Sequence, residues 1–252
     1  AKGCACRGAE EERGGEDAAG AAGAERHAGS GGLEGDEQDE EPQCAGSAAV
    51  GGDENAQLYW MDTDTGRLVQ LTNHPEGQYS TVIWTPDDAA IYCRSNQENG
   101  KDFFIYRMDV PSGKMTKVFG DKDGVNGQNA VADLSEDGTQ LVVSHATSNV
   151  NNDLYLVDLA SGRSQQLTRD DKDVSYDSVT LMKDNRTLWL TCNDNPDGMA
   201  RLATLTVGSP KVSYVNDGWL DPKWEVEGLS FSRDRRFMSA VLNADGYARL
   251  MM

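Results

Sequence analysis

Leu154-Tyr155-Leu156-Val157-Asp158, followed by Gly162 and then by Leu167-Thr168, decides how the rest of the chain is read. An apolar run ends in Asp, a short turn ends in Gly, and a second short run follows. Asp accepts hydrogen bonds from backbone N–H groups just ahead of it, and Gly supplies positive φ, so the pair closes a tight turn between two strands. The same unit stands earlier as Leu58-Tyr59-Trp60-Met61-Asp62 with Gly66 and Leu71-Thr72, and as Ile105-Tyr106-Arg107-Met108-Asp109 with Gly113. The three Asp residues are 47 and 49 apart.

A second unit alternates with the first. It places an Asp-centred turn between two apolar runs, at Trp84-Thr85-Pro86-Asp87, Leu134-Ser135-Glu136-Asp137-Gly138, Leu181-Met182-Lys183-Asp184 and Phe231-Ser232-Arg233-Asp234. Its Asp spacings are 50, 47 and 50. Two independent landmarks thus keep one period of about fifty residues, which is the mark of a repeat architecture. Runs such as Gln140-Leu141-Val142-Val143-Ser144 and Thr187-Leu188-Trp189-Leu190 are short, bulky and bounded by turn signals, as buried strands are.

Four short antiparallel strands per repeat make a β-propeller blade. The fold class expected is therefore all-β. Strands are expected near 80–84, 89–95, 103–109 and 114–119, with further blades over 128–168 and 176–215. Residues 56–72 supply the last two strands of one blade, and 226–252 open another. This gives three whole and two partial blades. Two arrangements remain open: 56–72 could pair with 226–242 and close a small ring, or the chain could be a piece cut from a larger propeller, which its stop in mid-strand favours.

Residues 1–55 differ in kind. They hold 14 acidic and 4 basic residues, 13 Gly and 12 Ala, no aromatic, and only Leu33 and Val50 as large apolar side chains. Such a segment buries too little surface to offset its chain entropy, so a disordered leader over 1–55 is expected before a partial propeller over 56–252. The net charge of −19 argues against nucleic acid and anionic membrane as partners. No stretch reaches the ~18 apolar residues of a membrane span, and no secretory signal is visible. Of five cysteines, Cys4, Cys6 and Cys44 fall in the leader, while Cys93 and Cys192 sit in strand-like runs. Their odd number and loose spacing favour a reducing compartment, the cytoplasm foremost, over a disulfide frame or a zinc site.

The blade turns, with Ser-Pro-Asp-Gly as their ideal, resemble those of TolB-type propellers and of the N-terminal propeller of the prolyl oligopeptidase family of serine peptidases. Two stretches favour the second. Ser148-Asn149-Val150-Asn151-Asn152-Asp153-Leu154-Tyr155-Leu156-Val157-Asp158-Leu159 is similar to middle blades of dipeptidyl-peptidase and acylaminoacyl-peptidase-like members. Trp224-Glu225-Val226-Glu227-Gly228-Leu229-Ser230-Phe231-Ser232, running on to Leu242-Asn243-Ala244-Asp245-Gly246-Tyr247-Ala248-Arg249-Leu250, looks like their late-propeller block. The resemblance covers about 56–252. It departs from the family in its degraded turn motifs: Thr85-Pro86-Asp87-Asp88, Ser135-Glu136-Asp137-Gly138, Lys183-Asp184-Asn185 and Arg233-Asp234-Arg235.

The family's α/β-hydrolase domain carries its nucleophile in Gly-x-Ser-x-Gly, and that motif is missing here. The nearest string, Ala28-Gly29-Ser30-Gly31-Gly32, lies in the leader without strand or helix around it. His27, His74 and His145 have no nucleophile fixed beside them by sequence, so no catalytic residue is assigned. Asp62-Thr63-Asp64-Thr65-Gly66 alternates carboxylates as a calcium loop does but lacks the distal Glu, and turn chemistry explains it; no metal or other cofactor is assigned. The cluster Trp219, Asp221, Trp224, Glu225 and Glu227, around Pro222, could form a rim that touches a peptide or partner domain; packing of both Trp between blades is the simpler reading. The resemblance implies a non-catalytic cap that gates substrate access, with an α/β-hydrolase domain and peptides as partners. A free-standing TolB-like interaction scaffold is the alternative.

Overall fold

The computed structural model describes residues 43–49, 54–168, 173–209, 211–216 and 218–252. These residues form β1 (Gln43–Ala48), β2 (Gln57–Asp62), β3 (Leu68–Gln70), β4 (Tyr79–Trp84), β5 (Ala90–Ser95), β6 (Phe104–Asp109), β7 (Met115–Phe119), β8 (Gln128–Leu134) and β9 (Gln140–Ala146). They continue as β10 (Asn152–Asp158), β11 (Arg163–Gln166), β12 (Tyr176–Leu181), β13 (Thr187–Cys192), β14 (Arg201–Thr206), β15 (Val212–Tyr214), β16 (Glu225–Phe231), β17 (Met238–Ala244) and β18 (Tyr247–Met251). The only helical turn among the described residues is a 3₁₀ turn at Asp121–Asp123.

Every strand pairs antiparallel with its chain neighbour, giving sheets β1-β2-β3, β4-β5-β6-β7, β8-β9-β10-β11, β12-β13-β14-β15 and β16-β17-β18. The three four-stranded blades fall where the two turn landmarks put them. Segments 56–72 and 226–242 belong to the first and fifth sheets and do not pair with each other among the described residues, which excludes the closed four-bladed disc. Each innermost strand of the last four sheets carries a bulge, at Ser80/Ile83, Val131/Asp133, Asp177/Thr180 and Val226/Gly228. A bulge adds twist and bends the strand.

The leader boundary expected at 55 needs correction. Gln43–Ala48 form β1, paired with β2 from Gln43↔Asp62 to Ala48↔Gln57. The sequence Gln-Cys-Ala-Gly-Ser-Ala has no strand propensity of its own; the exposed ladder of β2 imposes the conformation, and Ala45 packs on the core beneath. Cys44 is buried and disulfide-bonded. Of the rest of the leader, residues 1–42 and 50–53 lie outside the described residues.

Apolar side chains fill the space between successive sheets. Leu58 meets Tyr79, Ile91 and Met108 between the first and second; Ile105 and Phe119 meet Val131 and Leu141 between the second and third; Leu154 and Val142 meet Leu181 and Leu190 between the third and fourth. A smaller cluster of Val226, Ala240 and Leu242 carries the fifth.

At every junction a backbone bond joins the same two strands, in one direction or the other. The strand that lies third in a complete blade begins beside the inner strand of the next sheet: Tyr79 N–H donates to Ala56 O (2.9 Å), Phe103 N–H to Gly127 O (2.7 Å), Asn152 N–H to Val174 O (3.1 Å) and Val226 N–H to Ala200 O (3.0 Å). A side chain reinforces each: Gln57 Nε2 donates to Gly77 O, Asn129 Nδ2 to Phe103 O, and Arg201 Nη1 to Trp224 O. Asn152 does most. Its Nδ2 donates to Tyr176 O at 2.9 Å and its Oδ1 accepts from Tyr176 N at 2.7 Å. The Leu-Thr landmarks have a related use, because Thr72 Oγ1 and Thr168 Oγ1 accept the N–H of Leu58 and Leu154 and so close the outer end of each blade.

Asn152→Ala would leave the Tyr176 amide and carbonyl without their side-chain partner inside the structure. Each buried group left unmade costs roughly 1–3 kcal/mol. A loss of roughly 2–4 kcal/mol in urea unfolding is expected; a change below about 0.5 kcal/mol, typical of surface substitutions, would contradict the role assigned to the junction.

Candidate functional site

The inner strands β4, β8, β12 and β16 each run into a two-strand turn; the turns after β4, β8 and β16, together with Thr180 of β12, line a cavity of 940 Å³. Each turn is built alike. The N–H of its fourth residue donates to the carbonyl of its first: Asp88 to Thr85, Gly138 to Ser135, Asn185 to Met182 and Arg235 to Ser232. That fourth residue is left-handed in all four, with φ of 53°, 68°, 53° and 54°. Glycine suits this conformation and side chains do not.

The non-glycine residues here explain the degraded motif. The side chains of Asn185 and Arg235 reach other sheets, whereas Asp88 Oδ2 is buried without a hydrogen-bond partner among the described residues. Asn185 Nδ2 donates to Asp137 Oδ2 at 2.6 Å, and Lys183 Nζ of the same turn lies 2.9 Å from Glu136 Oε1. Arg235 reaches further, pairing with Asp133 of β8 at 3.0 Å and donating to Leu134 O at 3.0 Å. Gly138 is the exception, and a Cβ there would come within 3.1 Å of Pro86 in the preceding turn.

The turn carboxylates are held ionised by their own loops. Asp137 is pulled well below the usual range by the Ser135 and Thr139 hydroxyls and the Thr139 N–H; Asp184 is lowered by the Thr187 hydroxyl and N–H, and Asp234 by the Ser232 hydroxyl. Asp87 is lowered by Thr85 and by the Ala89 N–H. Asp133 differs in sign, because burial raises it more than Arg235 lowers it.

The cavity walls combine Trp84, Pro86 and Phe231 with Asp88, Glu136 and Arg233. Phe231 is fixed by Trp189, whose ring lies edge-on at 6.2 Å. A smaller cavity of 360 Å³ sits at the inner-strand bulges, against Ala132, Ser178 and Leu229.

The five rim residues lie elsewhere, at the junction of the fourth and fifth sheets, and none lines either cavity. Trp219 and Trp224 are half-buried against Val226, Ala240 and Leu242. Asp221 Oδ1 accepts the Lys223 N–H, Glu225 Oε1 the Ala200 N–H, and Glu227 Oε1 the Asn243 amide. Lys223 Nζ stands 4.3 Å from the Trp224 ring centre.

His145 faces the Asn129 amide at 2.9 Å and the edge of Tyr155, with burial lowering its pKa. His74 is held through its backbone by Gln57. His27 and Ser30 lie outside the described residues. The Asp62 carboxylate accepts the N–H groups of Asp64 and Thr65, so its oxygens serve the turn. Among the described residues no cluster of three or more His, Cys, Asp or Glu could hold a metal, and no helix is long and apolar enough to cross a membrane. Cys93 is buried and free, its thiol pushed up to about 12 by desolvation. Sequence reading missed Asp133, Arg235 and Asn152, whose partners lie in other repeats.

Residues 38–248 match the family model described as "Prolyl oligopeptidase, N-terminal beta-propeller domain". No curated protein matches the chain. Among solved structures, a puromycin-hydrolysing peptidase of Mycobacterium tuberculosis is similar with a TM-score of 0.61 at 11% identity, over 82% of this chain and 35% of its own. Oligopeptidase B of Leishmania major gives 0.56 at 16%, over 81% and 28%. TolB of Acinetobacter baumannii gives 0.55 at 18%, over 78% and 46%. The chain thus spans less than half the length of each.

The turn carboxylates set the response to acid. Their folded pKa values lie below the unfolded ones, so their stabilisation is present above about pH 4 and is lost as the pH falls through the folded values. Asp133 contributes in the opposite sense, a single group against at least four. The urea midpoint is expected to drop below about pH 4, with a shallower drop in Asp137→Asn. A midpoint that holds steady or rises over that range would contradict the turn assignment.

Proposed function

The chain belongs to the prolyl oligopeptidase N-terminal β-propeller family, and from that premise we propose that it is the access-controlling, non-catalytic part of a serine-type peptidase. The observation that carries this reading is the 940 Å³ cavity where four inner strands converge. Its walls are turns and strand ends rather than flexible tails; Arg235 ties the turn after β16 to β8, and Asn185 and Lys183 tie the turn after β12 to the one after β8. A cavity held in this way selects by size and charge. Its polar groups bind one another, and its aromatic surfaces from Trp84 and Phe231 offer contact to a peptide without chemistry.

The chemistry of the reading is peptide-bond hydrolysis through an acyl-enzyme, with nucleophile, base and oxyanion donors supplied by an α/β-hydrolase domain. The propeller's part is to admit short peptides and keep folded chains away. The similarity to TolB of Acinetobacter baumannii favours a second reading, a propeller that binds proteins without a hydrolase partner.

Chromogenic dipeptides and acyl-amino-acid substrates, together with a serine-reactive phosphonate, provide the test. The chain by itself is expected to give no turnover and no labelled serine. Labelling of any serine, Ser30 included, would overturn the non-catalytic reading. Coding sequence that continues into a strand, Gly-x-Ser-x-Gly and a helix supports the peptidase, whereas a stop after one further blade supports the scaffold.

A further inference from the structure

The Asp133 carboxylate is one of very few charged groups drawn into the interior: its side chain is 16% exposed and that of Arg235 is 13% exposed. Asp133 lies at the bulge of β8, in the third sheet. Its Oδ2 accepts the N–H of Leu181, from β12 of the fourth sheet, at 2.7 Å. The same oxygen stands 3.0 Å from Arg235 Nη1, in the turn after β16 of the fifth sheet, and Oδ1 accepts from Nη2 at 3.2 Å. Nη2 also donates to Leu134 O at 3.0 Å. One carboxylate therefore joins three sheets, and one guanidinium passes over the fourth sheet to grip the third.

We propose that Arg235 is a latch across the inner end of the propeller, clamping the fifth sheet to the third and thereby setting the width of the cavity that both residues line. Three observations converge on it. First, the Arg occupies a left-handed position with φ 54°, where glycine costs less, so its side chain must return something to be tolerated. Secondly, the guanidinium uses its planar fork on both carboxylate oxygens and a carbonyl, a geometry that lysine cannot reproduce. Thirdly, the fifth sheet has a small buried core: its fully buried apolar cluster is three residues, against thirteen between the third and fourth sheets.

The ion pair is made against a desolvation cost, since burial raises the Asp133 carboxylate more than Arg235 lowers it, and either partner left alone there would be an uncompensated buried charge. Were the latch released, the fifth sheet would keep its ties to the fourth at the junction, Val226 N–H to Ala200 O, Arg201 Nη1 to Trp224 O and Ala200 N–H to Glu225 Oε1, and would move about them. The turn carrying Phe231 and Arg233 would then move away from Trp84 and Glu136 on the opposite wall. The consequence for substrate rests on the access-controlling reading above, but the latch does not.

Arg235→Gly separates the alternatives, because it removes the latch and relieves the left-handed strain together. Hydrogen exchange is expected to quicken at least tenfold in β16–β18, while β4–β7 keeps its protection. Asp133→Asn, which keeps an acceptor for Leu181 but loses the charge, should show the same pattern. The double variant should exchange no faster than the worse single variant, as partners in one interaction do. Arg235→Lys, should the glycine variant fold poorly, is expected to fall between it and the parent. Unchanged or slower exchange in β16–β18 of Arg235→Gly would overturn the latch, since strain relief would then be the whole effect. If exchange rises as expected while the full-length polypeptide keeps its size limit on peptides, the latch stands and the access reading falls.

Discussion

The structure depends on one bond repeated at each junction: a backbone N–H at the start of one sheet's third strand, or of the next sheet's inner strand, given to the carbonyl of the other. A single antiparallel sheet of three or four short strands cannot bury both faces, so no blade here is stable alone. Apolar packing between sheets supplies the driving force but is indifferent to register. The junction bonds at Tyr79, Phe103, Asn152 and Val226 fix that register. They align each inner strand against its neighbour, and the cavity lies where the ends of four inner strands converge.

The opposite end of each inner strand carries a second set of constraints, made by side chains. Asn185 to Asp137 and Lys183 to Glu136 join the turns after β12 and β8, and Arg235 joins the turn after β16 to Asp133 of β8 beside the cavity. Exposed pairs such as Lys183–Glu136 contribute little stability in water. Their effect is geometric, and it is greatest where the groups are buried, at Asp133. A domain that admits some molecules and refuses others needs walls of this kind, firm at the junctions and adjustable at the turns.

Much of this was legible in the sequence because turn chemistry is local. Asp and Gly four residues apart, or Asp followed at once by a left-handed residue, act on their own backbone, so their spacing reports strand ends directly. The order of strands in the three whole blades followed from that period. What was not legible depended on distant partners. Gln43–Ala48 reads as leader because Gly and Ala carry no strand preference, and only β2 makes it a strand. Asn152 looks like any loop polar residue before a strand, yet it bonds to Tyr176 of the next sheet. Arg235 looks like a damaged turn glycine, and its partner is Asp133, two repeats back. The Trp219–Glu227 cluster stood out by composition; its two Trp pack on the fifth sheet's core, and Glu225 accepts the N–H of Ala200, 25 residues back.

The most direct test of the account is site-resolved native-state hydrogen exchange at the four junction amides, Tyr79, Phe103, Asn152 and Val226. If junction bonds set the register, these amides exchange only with opening of a whole sheet, as slowly as the buried strand amides of β9 and β13. Exchange at the fast rate of the exposed turns, while β9 and β13 stay protected, would show that the blades hold together without them and would contradict the account.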